Sequence, residues 1–106
     1  MALSSSECRR VTARAIGVEG VVALNSPDLV RATQIVFRLQ DIFVVEYARV
    51  QAKLKEPDIA RARLIRAYRS AFEEALSWER ERDSGIVAAS TVRCLERVGR
   101  EYNLLP

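Results

Sequence analysis

Apolar residues recur through this chain at steps of three and four, the period of one face of an α-helix. The longest such stripe holds Leu29, Ala32, Val36, Leu39, Phe43, Tyr47, Val50 and Leu54, and it predicts a helix over about 27–55 with one face packed along its whole length. Ser26 supplies the N-cap in front of it, and Glu56-Pro57 ends it because the residue before proline avoids helical angles. A second stripe, Val30, Phe37, Val44 and Ala48, falls roughly 60–100° further round the same helical wheel at about 100° per residue. This central helix is therefore expected to carry two apolar faces. The chain must either cover the second face with its own helices or leave it to a partner.

Three further elements follow from the same pattern. Ser4 and Glu7 have the spacing of a capping box, so a short first helix is expected to bury Cys8, Val11 and Ala15 and to stop at Gly17. A third helix, about 58–82, places Ala60, Leu64, Ile65, Ala67, Tyr68, Ala71, Phe72, Ala75, Leu76 and Trp78 on one continuous half of its wheel and charges on the other. Trp78 fits either the core or an interface anchor. Asp83-Ser84-Gly85 ends that helix, and a last one over about 87–102 is expected to bury Ala88, Val92, Leu95, Val98 and Tyr102. The valine-rich stretch Val18–Asn25, flanked by glycine, reads equally as a brief extended segment or as another helical turn.

Two of the helices share an opening: Pro27-Asp28-Leu29-Val30-Arg31-Ala32 returns thirty positions later as Pro57-Asp58-Ile59-Ala60-Arg61-Ala62. Proline suits the first helical position, whose N–H has no partner within the helix, and the aspartate faces the positive end of the helix dipole. Shared chemistry accounts for the likeness as well as duplication does. With only four glycines and three prolines there are few turns, which favours long helices over a many-stranded sheet. The expected fold is all-α: a single 1–106 domain, a small bundle of three principal helices plus a short N-terminal one.

Composition removes several chemistries. Histidine is absent, and with it the commonest general base and metal ligand. Cys8 and Cys94 are isolated rather than in a Cys-x-x-Cys pair, and no phosphate loop or nucleophile elbow is present. Two distant cysteines in a reducing compartment are expected as separate thiols. Adjacent carboxylates such as Glu73 and Glu74 diverge by about 100° on a helix, which suits a solvated face better than acid–base work. A non-enzymatic protein without metal, cofactor or small-molecule substrate is the expectation. Arg38, Asp41 and Glu46 interrupt the most hydrophobic segment, so no membrane span is expected. The N-terminal residues lack a secretory pattern, which makes a cytoplasmic location the default.

Charge adds candidate surfaces. The net charge of +3 arises from seventeen basic residues against fourteen acids, a mild balance that permits nucleic acid without indicating it. Arg61, Arg63, Arg66 and Arg69 crowd the first half of the third helix, while Glu73, Glu74, Glu79 and Glu81 occupy the second. That order opposes the helix dipole. A solvated face with local pairs such as Arg69 with Glu73 accommodates it, and an antiparallel copy of the same helix, setting arginine against glutamate, is the other reading. The candidate partner-binding residues are therefore Val30, Phe37, Val44 and Ala48 for burial, and Arg61, Arg63, Arg66 and Arg69 for steering towards an acidic protein surface or a second copy. Nucleic-acid binding through the same arginines is the alternative. Arg9, Arg10 and Arg14 followed by Ala15–Val18 and Val22–Asn25 loosely resemble the helix-turn-helix order of LacI-type repressors, with too few residues after the glycine-valine turn.

Phe72-Glu73-Glu74-Ala75-Leu76, then residues 79–86 with their Arg-Glu run and Gly85-Ile86, then Val92–Arg97, resemble the cytosolic tails of bacterial cation/proton antiporters. Those tails end similarly, in an arginine-rich helix, a short turn with glycine and isoleucine, and a final amphipathic helix. The resemblance covers residues 72–106. It departs at Val87-Ala88-Ala89, where the family places an acidic helix start, and no transmembrane portion accompanies it. It implies regulation or assembly rather than transport.

Overall fold

A computed structural model describes residues 3–105, in which four helices are joined by short connections: α1 (Ser5–Ile16), α2 (Pro27–Gln51), α3 (Pro57–Glu79) and α4 (Gly85–Glu101). No strand occurs among the described residues, and Val18–Asn25 is a chain of turns. That stretch supplies no second helix for a helix-turn-helix. The starts follow the expected chemistry. Ser4 and Glu7 close a capping box, and the Ser26 hydroxyl accepts from the Leu29 N–H at 3.2 Å.

The ends follow backbone geometry. Gly17 takes a left-handed φ of 83°, and the Val18 N–H returns to the Ala13 carbonyl at 3.0 Å. α2 stops at Gln51, short of the expected 55, because Lys53 adopts φ 59° and the Leu54 N–H bonds back to the Arg49 carbonyl. Asn103, at φ 56°, ends α4 in the same manner, with the Leu104 N–H reaching the Gly99 carbonyl at 2.8 Å. These are Schellman closures. Two of the three place a side chain where glycine is favoured.

α2 and α4 each pack against all three other helices, while α1 and α3 do not meet. The bundle is thus a rhombus in section, with α2 and α4 across the short diagonal and α1 and α3 on the flanks. The core runs along the seam, through Leu29, Ala32, Ile35 and Leu39 of α2, Tyr68, Ala71, Ala75 and Trp78 of α3, and Val87, Ala88, Val92 and Leu95 of α4. Tyr68 locks α3 onto α4, its hydroxyl donating to the Leu95 carbonyl. Gly99 makes that approach possible, since a Cβ there would collide with the Tyr68 hydroxyl and with Leu105. Burial raises the Tyr68 phenol above its ordinary pKa.

Several faces differ from expectation. α1 buries Thr12, Ala13 and Ile16, while Val11 is exposed and Cys8 and Ala15 are half-buried. The helix wedges against α2 and α4 by the stripe next to the expected one. Tyr102 is exposed, although its ring lies edge-on to Phe43 at 5.4 Å. On α2 the main stripe is buried only as far as Phe43; Tyr47 is 67% and Leu54 78% exposed. α4 ends opposite Phe43, and beyond it α3 and the Lys55 turn meet α2 at Glu46 and leave Val50 half-buried. The Cα extents of 43 × 33 × 18 Å and radius of gyration of 14.4 Å reflect this projection, against about 13 Å for a compact chain of this length.

Candidate interaction surface

The outer face of α2 lies between the two flanking helices, and the second apolar stripe runs along it. α1 pairs with α2 as the arm of a hairpin, so its start lies beside the middle of α2. Its twelve residues reach about 18 Å, against roughly 37 Å for the twenty-five of α2. The stripe therefore divides. Val30 and Phe37 are half-buried and line a groove beside Leu3, Ser5 and Cys8, with a volume of about 860 Å³. Val44 is 63% exposed and Ala48 is exposed. The chain covers the first half of its second stripe in part and leaves the other half open.

A second hollow of about 570 Å³ continues from the first. The two share Asp41 and Ile42, and the second is walled by Val45 and Arg49 of α2 and by Arg63, Arg66 and Ala67 of α3. Together they form a track on α2 from Val30 to Arg49, roughly 28 Å long at the helical rise.

The expected arginine cluster separates into two pairs. The Arg61 guanidinium donates to the Asn103 carbonyl at 2.6 Å, and the Arg63 Nε lies 3.2 Å from the Glu46 carboxylate. Arg66 and Arg69 are exposed and have no carboxylate partner among the described residues, and the local pair of Arg69 with Glu73 does not form. Both border a shallow hollow with Ile65 and Glu73.

Charge polarity along α3 is answered within the chain. α2 runs antiparallel to α3 and carries the reverse order, so Arg31 meets Glu81, Arg38 meets Glu74 and Glu46 meets Arg63. The Arg31–Glu81 pair is two-pronged, at 3.1 and 2.7 Å, and the guanidinium stacks 4.8 Å above the Trp78 ring. The signal was present in the sequence: Arg31, Arg38 and Glu46 stand one heptad or eight residues apart. An antiparallel second copy is not required to balance α3.

Glu46 is the residue the sequence pattern missed. Its carboxylate is buried yet takes Lys55 Nζ at 3.0 and 2.7 Å in addition to Arg63. The Lys55 hydrogen bond, aided by the charges of Lys55, Arg63 and Arg49, holds it below its ordinary value of 4.5. Glu81 is lowered likewise by its hydrogen bonds from Arg31. Cys8 and Cys94 are free thiols, and burial pushes the Cys94 thiol up. Among the described residues no group of three or more His, Cys, Asp or Glu side chains is placed to hold a metal ion. Among the described residues no helix is long and apolar enough to cross a membrane.

No family model, curated protein or solved structure matches this chain.

Proposed function

We propose that this protein is a non-enzymatic interaction or regulatory module that works through the outer face of α2. The observation that carries this reading is the open half of the second stripe: Val44 and Ala48, with Val45 and Tyr47 beside them, stand exposed on a well-formed helix. Isolated apolar residues are normal on a surface, but four within five residues of a long helix, continuous with a lined groove, make a binding face. The likeness of residues 72–106 to antiporter tails has the same implication, regulation or assembly, and a cytoplasmic setting suits both.

Nucleic-acid binding is the second reading. It is favoured by Arg66 and Arg69, which are exposed and unpaired among the described residues. It is weakened by Arg61 and Arg63, whose guanidinium groups already have partners.

A photo-crosslinking residue at Val44 tests the first reading in living cells, with the same residue at Arg93 on α4 as the reference. A discrete adduct at 44 and none at 93 is the expected result, and light scattering of the purified protein then distinguishes a second copy from another protein. Equal patterns at both positions, or none at 44 from a protein that is monomeric at every concentration, overturn it. Loss of a retarded DNA or RNA band in Arg66→Ala/Arg69→Ala, with a steep salt dependence in the parent, would instead establish the second reading.

A further inference from the structure

Resting on that reading, we infer that the occupant of the track is an acidic amphipathic helix from another protein, laid along α2 beside α3. Shape is the first argument. α1 and α3 do not touch, so α2 floors the gap between them as far as Ile42 and the groove against α3 beyond it, about 28 Å in all, the length of a helix of roughly five turns. The floor offers Val30, Phe37, Ile42 and Val45 in sequence, an apolar row that runs the length of the track for the stripe of an amphipathic helix to cover.

Charge chooses among the occupants. Within the track Arg38 and Arg63 are neutralised by Glu74 and Glu46. Arg9 on the wall of the first hollow, and Arg49 and Arg66 in the second, have no carboxylate partner among the described residues. The single uncompensated acid lining the two hollows is Asp41, at their junction. Both halves of the track thus carry unpaired arginine. A two-fold axis across α2 would set the Arg9 half of one copy on the Arg49 and Arg66 half of the other, and an axis along α2 would set each arginine against its own copy. Either arrangement brings like charges together. A helix with glutamate or aspartate flanking its apolar stripe meets arginine in both halves, and an amide or lysine near its middle would meet Asp41.

The test uses the intact protein, isotope-labelled for NMR, and three synthetic helical peptides of about 18 residues. One has an apolar stripe flanked by glutamate, one the same stripe flanked by lysine, and one the glutamates with serine in place of the stripe. The acidic amphipathic peptide is expected to shift the amides of Phe37, Ile42, Val44 and Val45, to bind at least about tenfold more tightly than the lysine peptide, and to weaken with salt. Arg66→Glu, at an exposed position with no carboxylate partner among the described residues, should keep the parent circular dichroism and thermal midpoint while narrowing the preference for the acidic stripe over the lysine one. Equal binding of the acidic and lysine peptides, full binding of the serine peptide, or shifts confined to α4 overturn the proposal. So does tighter association with anionic lipid vesicles than with any peptide. A dimer that buries Val44 also overturns it but leaves the interaction reading standing, whereas a silent Val44 crosslink with a monomeric mass removes that reading itself.

Discussion

From Leu29 to Phe43, α2 is enclosed by α1, α3 and α4; from Val44 to Gln51 it has only α3 beside it. The two stretches are equally helical and similarly rich in apolar residues, so their different burial is not a matter of composition. It follows from the lengths of the neighbours. α1 is half as long as α2, and α4 ends opposite Phe43. The enclosed part is held by apolar contact, with the Arg31–Glu81 and Arg38–Glu74 pairs at its surface, whereas in the projecting part a buried carboxylate is the tie: Glu46 joins the end of α2 to Lys55 beyond the turn and to Arg63 on α3. A projecting hairpin with an uncovered apolar face can receive a partner without unpacking the core that supports it.

The largest expected effect lies in the enclosed part. Trp78 is 2% exposed, and Trp78→Ala should lower stability by about 3–5 kcal/mol, a loss of more than about 10 °C in Tm for a domain of this size. Val44→Ser, on the projecting part, should change it by no more than about 0.5 kcal/mol. Chemical denaturation of both variants checks the contrast, and comparable losses would show that Val44 is core after all. Next in size is Gly99→Ala. The added methyl meets the Tyr68 hydroxyl and Leu105, and the displacement of α3 from α4 should cost about 1–3 kcal/mol. Tyr68→Phe removes only the bond to the Leu95 carbonyl, so its loss should be smaller, about 1 kcal/mol.

Acid tests the ionic ties of both parts, Glu46 in the projecting one and Glu81 against Arg31 in the enclosed one. The Glu46 and Glu81 carboxyls lie below their ordinary value of 4.5 because Lys55 and Arg31 hydrogen-bond their charged forms. Near that pH the unfolded chain binds more protons than the folded one, so the contribution is complete above 4.5 and is lost as the pH falls through the lowered values. Denaturant unfolding between neutral pH and pH 3 should show this acid limb, flattened in part by Glu46→Gln and in part by Glu81→Gln. An unchanged limb in Glu46→Gln would mean that the ions do not hold the hairpin.

Helix starts were legible because they are written in side chains: Ser4 with Glu7, Ser26 with Pro27, and Pro57. Helix ends were less so. Lys53 and Asn103 close their helices through backbone conformation, and only Gly17 announces such a closure by its identity. The single buried side of α3 was read correctly, since its ten apolar positions leave one way to turn the helix. α1 was misread by one stripe, because Thr12 and Ala13 give a face no more apolar than Cys8, Val11 and Ala15. For the candidate surface, the stripe of Val30, Phe37, Val44 and Ala48 was visible in the periodicity, but its division was not. That depends on where α1 starts and α4 stops in space, which no local pattern on α2 records. Glu46 sits at a buried angle of the wheel among apolar residues, and its partners come from the turn and from α3, so its role emerges only with the α2–α3 hairpin.

The smallest expected effect has the opposite sign and sits at the tip of the projecting hairpin. Lys53 holds φ 59°, a conformation that favours glycine, and its N–H already bonds to the Val50 carbonyl at 3.0 Å. Lys53→Gly should therefore stabilise by about 0.5–1 kcal/mol, while Lys53→Val, with a branched Cβ at the same angle, should destabilise by about 1 kcal/mol or more. Where the gain appears is the sharper result. If the hairpin opens independently of the core, amide exchange should slow in Lys53→Gly from Glu46 to Arg63 and stay unchanged around Trp78 and Leu95. A uniform slowing across α2, α3 and α4 would instead mean that the projecting half unfolds only with the enclosed half, so that length of overhang alone does not make a separate unit.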